Sequence, residues 1–90
     1  MALTDAGILS LGDLAEGGRA YVRQVKGGQA YRGRMAALGF TIGAPLQLLQ
    51  NTGRGPVIVL IRGMRVALGR GEALKVLIAP GDGGNDQPQR

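Results

Sequence analysis

Apolar positions come in short blocks separated by glycine, and two spacings alternate among the blocks. Tyr31, Met35 and Leu38 fall at i, i+4 and i+7, which predicts a short amphipathic helix over residues 29–38. Arg32 and Arg34 lie off that stripe and are expected to face solvent. Gly33 inside the helix costs about 1 kcal/mol relative to alanine, so a close approach to a neighbouring backbone is expected there. Gly39 is placed to stop the helix in the left-handed conformation.

The remaining blocks read as strands. Residues 19–25 put Ala20 and Val22 on one face and Tyr21, Arg23 and Val25 on the other. Residues 45–50 and 56–62 flank the glycine-rich loop Asn51-Thr52-Gly53-Arg54-Gly55, a hairpin pattern. Val57-Ile58-Val59-Leu60-Ile61 is apolar throughout and is predicted to be the most buried strand. Gly63-Met64 reads as a two-residue type II′ link to a strand at 65–68. A single helical turn at 71–74 precedes a closing strand at 75–79, which Pro80 ends. Upstream, Leu11 and Leu14 follow Ser10 as one helical turn or structured loop tucked under the sheet. The sum is a mainly β domain: an SH3-like barrel of about five short strands, with a short α-helix inserted after the first strand. Residues 10–80 form that domain. Residues 1–9 are expected to be a flexible lead-in and residues 81–90 a disordered polar tail.

Composition narrows the function more than the fold. The 90 residues form one small domain with no cysteine and no histidine. That removes disulfides, thiolate metal sites, the usual neutral-pH general base and the commonest nitrogen ligand. Ser/His and Cys/His nucleophilic arrangements are excluded with them. Within residues 10–80 the carboxylates are Asp13, Glu16 and Glu72, in two distant segments, so neither a metal site nor a cofactor is expected. Asp13 with Glu16 reads as a solvated helix start rather than an acid/base pair. Gly53-Arg54-Gly55 and Gly69-Arg70-Gly71 read as turns, since no phosphate-loop pattern surrounds them. The 82–86 segment lacks the ligand spacing of a calcium loop. An enzyme is not expected. No apolar run reaches the length of a membrane span and no signal pattern opens the chain, so the expectation is a cytoplasmic protein without membrane insertion.

Charge supplies the positive evidence. The formal net charge is +5, but residues 10–80 hold ten of the eleven basic side chains against three acidic ones, giving 10 − 3 = +7. Such a domain seeks an acidic partner. Tyr21, Arg32, Arg34, Arg54, Arg62, Met64 and Arg65 are the candidate binding residues, chosen for exposed charge and helix geometry.

The leucine pair before Gly17, Arg34-Met35-Ala36-Ala37-Leu38-Gly39-Phe40 with Gly43 following, and Gly55-Pro56-Val57 form an ordered set of segments. Arg62-Gly63 and Val66-Ala67-Leu68 before Glu72-Ala73 complete it. In this order and spacing they resemble the FeoA family, the small cytoplasmic partners of the ferrous iron transporter FeoB. The domain is also similar to the C-terminal SH3-like module of iron-dependent repressors, although no helix-turn-helix segment is present. The resemblance covers about residues 11–79. It implies a non-enzymatic accessory of ferrous iron uptake that docks on the cytoplasmic domain of a FeoB-type transporter. Ile42 stands where the family often has proline. The alternative is a small nucleic-acid-binding barrel. It is disfavoured because only three aromatics exist, and Tyr31 and Phe40 are needed for packing. An exposed barrel edge would permit weak self-association.

Overall fold

A computed structural model describes residues 7–81. Six antiparallel strands form one sheet: β1 (Leu9–Ser10), β2 (Arg19–Val25), β3 (Pro45–Gln50), β4 (Val57–Ile61), β5 (Met64–Leu68) and β6 (Val76–Pro80). Helix α1 (Gln29–Ala37) joins β2 to β3, and α2 (Arg70–Ala73) joins β5 to β6. A 3₁₀ turn at Leu11–Asp13 follows β1. The spatial order β1-β6-β2-β3-β4-β5 leaves β1 and β5 as edges, so the sheet curls without closing.

Alternation drives the curl inward. Ala20, Val22, Leu46, Leu48, Val59, Ile61, Val76 and Ile78 all project to one face and are buried. Leu11 and Leu14 plug this core from the 3₁₀ segment, as their spacing predicts, while Met35 and Phe40 cover it from α1 and its exit. Irregular registers at Val22/Gln24 and Leu48/Gln50 bend β2 and β3, as bulges do.

Four local expectations are refined or corrected. The described residues form six strands, refining the expected count of about five, because Leu9 and Ser10 pair with Ile78 and Leu77; two residues are too few to show a period. Met64 pairs with Ile61, so the tight turn is Arg62-Gly63, with φ of 54° and 78°. Two positive φ values define type I′, not the type II′ read from a glycine followed by methionine. Pro80 closes β6 opposite Ala20 instead of lying beyond it. Finally, nothing beyond its own helix lies within 4 Å of a Cβ built on Gly33, so no close backbone approach explains it. The apolar strand β4 buries Val57, Val59 and Ile61 but leaves Ile58 and Leu60 half-buried on the outer face, one strand from the edge. The tail from residue 82 and the lead-in up to residue 6 lie outside the described residues.

Candidate functional site

The exit from α1 is fixed by backbone chemistry. Gly39 (φ 109°) donates to the carbonyl of Ala36 at 3.0 Å, and Phe40 donates to that of Met35 at 3.0 Å. This is the double bond of a Schellman stop, with its companion apolar pair, Met35 and Phe40, both buried. The chain then turns again. Ala44 N–H donates to Thr41 at 2.9 Å, with Gly43 at φ 90° in the third position, a type II arrangement. Gly43 N–H bonds to Val22 at 2.7 Å and Val22 N–H to Ala44 at 2.9 Å, so the segment is an extension of the β2–β3 ladder. Its second residue, Ile42, is held away from the core and is 76% exposed.

Beside it lies the Arg62-Gly63 turn. A Cβ on Gly39 would collide with the Arg62 stem, so the arginine side chain crosses the helix stop and lies in the space that glycine leaves open. That position also sets the guanidinium near the negative end of α1. Registers Leu46↔Ile61 and Ile61↔Met64 bring the start of β3 and the start of β5 to the same end of the sheet. Met64 is 46% exposed there and Arg65 follows it. Arg62, Met64 and Arg65 therefore share one end with Gly39 and Ile42. Arg62 and Arg65 have no carboxylate partner among the described residues, because the available acids are engaged elsewhere.

The other candidates are placed differently. Arg34 pairs with Glu72 at 2.7 Å, and Glu72 also accepts from Gly69 N–H at 3.2 Å. Tyr31 donates its phenol proton to the Glu72 carbonyl at 2.7 Å. Burial, first, and then the Glu72 carboxylate raise the Tyr31 pKa above 10.0, with Arg34 acting in the opposite direction. Lys75 Nζ lies 4.9 Å and Arg34 Cζ 5.6 Å from the Tyr31 ring centre. Arg34 thus ties α1 to α2 while staying partly exposed. Arg32 is exposed on α1. Arg54 sits at the tip of the β3–β4 loop, at the opposite end of the β4–β5 hairpin. Tyr21 is half-buried in β2, between Pro45 and Ala79.

Two features escaped the sequence pattern. Ile42 could have been found, since an isoleucine between two glycine turns cannot reach a core. Arg70 could not. Its guanidinium donates to Gly12 O (3.0 Å), Gly55 O (3.2 Å) and Asn51 Oδ1 (2.6 Å), while Asn51 Nδ2 donates to Gly12 O (3.0 Å) and Leu14 O (2.8 Å). This clasp joins the 3₁₀ segment, the β3–β4 loop and α2, at the end away from Arg62. Glu16 accepts from Asn51 N–H at 2.8 Å and Asp13 from Ser10 Oγ at 3.1 Å, so both acids serve local structure. Among the described residues no three His, Cys, Asp or Glu side chains cluster to hold a metal. No described helix is long and apolar enough to cross a membrane.

The family profile described as FeoA domain matches residues 9–80. The chain belongs to the FeoA domain family. A Methanocaldococcus jannaschii protein provisionally named Fe(2+) transport protein A is 31% identical over 71 residues, 79% of this chain and 85% of that protein. The crystal structure of an iron uptake regulatory protein, FeoA, superposes with a TM-score of 0.78 at 30% identity, covering 82% of this chain and 99% of the other. The zinc complex of Stenotrophomonas maltophilia FeoA, described as a procaryotic SH3 domain protein, superposes with a TM-score of 0.67 at 25% identity, over 78% of this chain and 88% of that one. The mainly β, SH3-like architecture expected from the strand pattern is shared with these neighbours, with the sheet curled but open.

Proposed function

We propose that this FeoA-family chain is a non-enzymatic, cytoplasmic accessory of ferrous iron uptake that docks on the cytoplasmic domain of a FeoB-type transporter. Family membership supports the ferrous iron role. The observation that carries the docking reading is the end of the sheet where exposed Ile42 and Met64 stand beside Arg62 and Arg65, neither arginine matched by a carboxylate among the described residues. Exposed apolar side chains flanked by arginine are the composition of a protein-binding surface. Phe40 is buried and Tyr31 is hydrogen-bonded to Glu72, which leaves few rings for stacking bases and disfavours the nucleic-acid alternative.

Fluorescence anisotropy of the labelled chain against the purified transporter domain tests this, at ~0.15 M salt where distant surface charges are screened. The expected result is saturable binding that survives excess RNA and weakens at least tenfold in the Ile42→Ser/Met64→Ser variant. Tight RNA binding without affinity for the transporter domain would overturn the proposal.

A further inference from the structure

We infer that the free edge of β5 is a strand-docking site, taking an acidic, extended segment of a protein partner as a seventh strand. The inference rests on the docking reading above only for which protein supplies that segment; the edge itself follows from the register. Among the described residues no strand lies beyond β5. The two-residue Arg62-Gly63 turn makes Ile61 and Met64 a hydrogen-bonded pair, so Val66 with Val59 and Leu68 with Val57 are also bonded pairs. Arg65 and Ala67 then point their N–H and C=O groups away from β4. The same alternation is visible across β4, where Leu60, opposite Arg65, turns its backbone towards Gln47 of β3. Both Arg65 and Ala67 are exposed, so nothing described covers those groups. A docked strand would pair with two donors and two acceptors there, the arrangement of β-strand addition.

Side chains along the edge select the occupant. On the inner face Met64 is 46% exposed and Val66, at 9%, is the most exposed member of the core, so an added strand would complete their cover. On the outer face Ala67 is small enough for a neighbouring side chain to lie across it, and it stands opposite half-buried Ile58. Arg62 and Arg65 flank the edge without carboxylate partners among the described residues. Charge on an edge strand ordinarily guards against self-pairing. A second copy would bring two more arginines and a further +7 from residues 10–80 to the same edge, so like-charge repulsion works against it. An acidic strand meets complementary charge instead.

The test is amide hydrogen exchange by NMR on the full, isotope-labelled chain. It is read at Arg65 and Ala67 alone, with an alternating Glu–Val octapeptide, with the corresponding Lys–Val octapeptide, and with the transporter cytoplasmic domain. The inference expects both amides to exchange freely in the chain alone and to slow at least tenfold with the Glu–Val peptide, but not with the Lys–Val peptide. Ala67→Pro removes an outward N–H without touching the β4 ladder and should weaken Glu–Val binding at least tenfold. If that variant fails to fold, the exchange rates in the unaltered chain still decide. No slowing with the Glu–Val peptide overturns the inference. So does protection in the chain alone that grows with concentration, which would make a second copy the occupant. Transporter binding that protects other amides and leaves these two free also overturns it, while the docking reading stands. Slowing with the acidic peptide but no transporter binding supports the edge and sinks the docking reading.

Discussion

Asn51 and Tyr31 show how single side chains hold this small domain together. The Asn51 amide donates to two carbonyls of the 3₁₀ segment, and its oxygen accepts from Arg70 and from Gly53 N–H. Truncating it strands several half-buried polar groups, each of which costs about 1 kcal/mol or more when left unpaired. Asn51→Ala should therefore lose about 2 kcal/mol in urea unfolding, and the loss combined with Arg70→Ala should be less than additive. Tyr31 predicts a pH effect. Its pKa is raised above 10.0 in the folded chain, so the folded state favours the protonated phenol, whose proton bonds to Glu72 O. That stability is fully present below about pH 10 and is lost as pH rises through the raised value. Tyr31→Phe should be less stable than the parent at neutral pH, and melting curves taken from pH 8 to 11 should show the gap closing above pH 10. A gap that stays constant would contradict the hydrogen bond. Neither role was legible in the sequence. Both depend on partners about twenty to forty positions away, which periodicity does not register.

Elements were more legible, because their signals are local. The i, i+4, i+7 stripe placed α1, and glycine 39 placed its end to the residue. Alternation placed β2, and the flanking glycine-rich loop placed β3, with their observed bounds. The pattern failed where an element is too short to have a period, as in β1, and where turn type depends on register rather than composition, as at Arg62-Gly63. Two substitutions follow. Gly33 faces open space on an exposed helix, so Gly33→Ala should stabilise the chain by about 0.5–1 kcal/mol, read as a higher melting temperature. Arg62 pays the left-handed cost of a type I′ turn (φ 54°), which asparagine largely escapes. Arg62→Asn should raise stability by ~0.5–1 kcal/mol while weakening partner binding. If the turn were type II′, the substitution would gain nothing.

For the whole molecule, two ends of one sheet divide the work. The Asn51–Arg70 clasp closes one end with backbone and side-chain hydrogen bonds, and the other is left with Ile42, Met64, Arg62 and Arg65 at the surface. Sequence reasoning named three of those four residues, from exposed charge and helix geometry, alongside Arg32, Arg34, Arg54 and Tyr21. The register shows that Arg54 lies at the far end, and the packing of α1 against α2 pairs Arg34 with Glu72. Because the end proposed for docking is basic, affinity for an acidic partner should fall steadily as salt is raised from ~0.05 to ~0.5 M, chiefly through slower association. The central claim, that this end supports ferrous iron transport, is tested most directly by radiolabelled ferrous iron uptake. Cells carrying a FeoB-type transporter and lacking their own FeoA would receive the parent chain, Arg62→Glu/Arg65→Glu, or Arg54→Glu. The account predicts that the parent chain and Arg54→Glu restore uptake and that the double reversal, present at equal abundance, does not. Full uptake with the double reversal would contradict it.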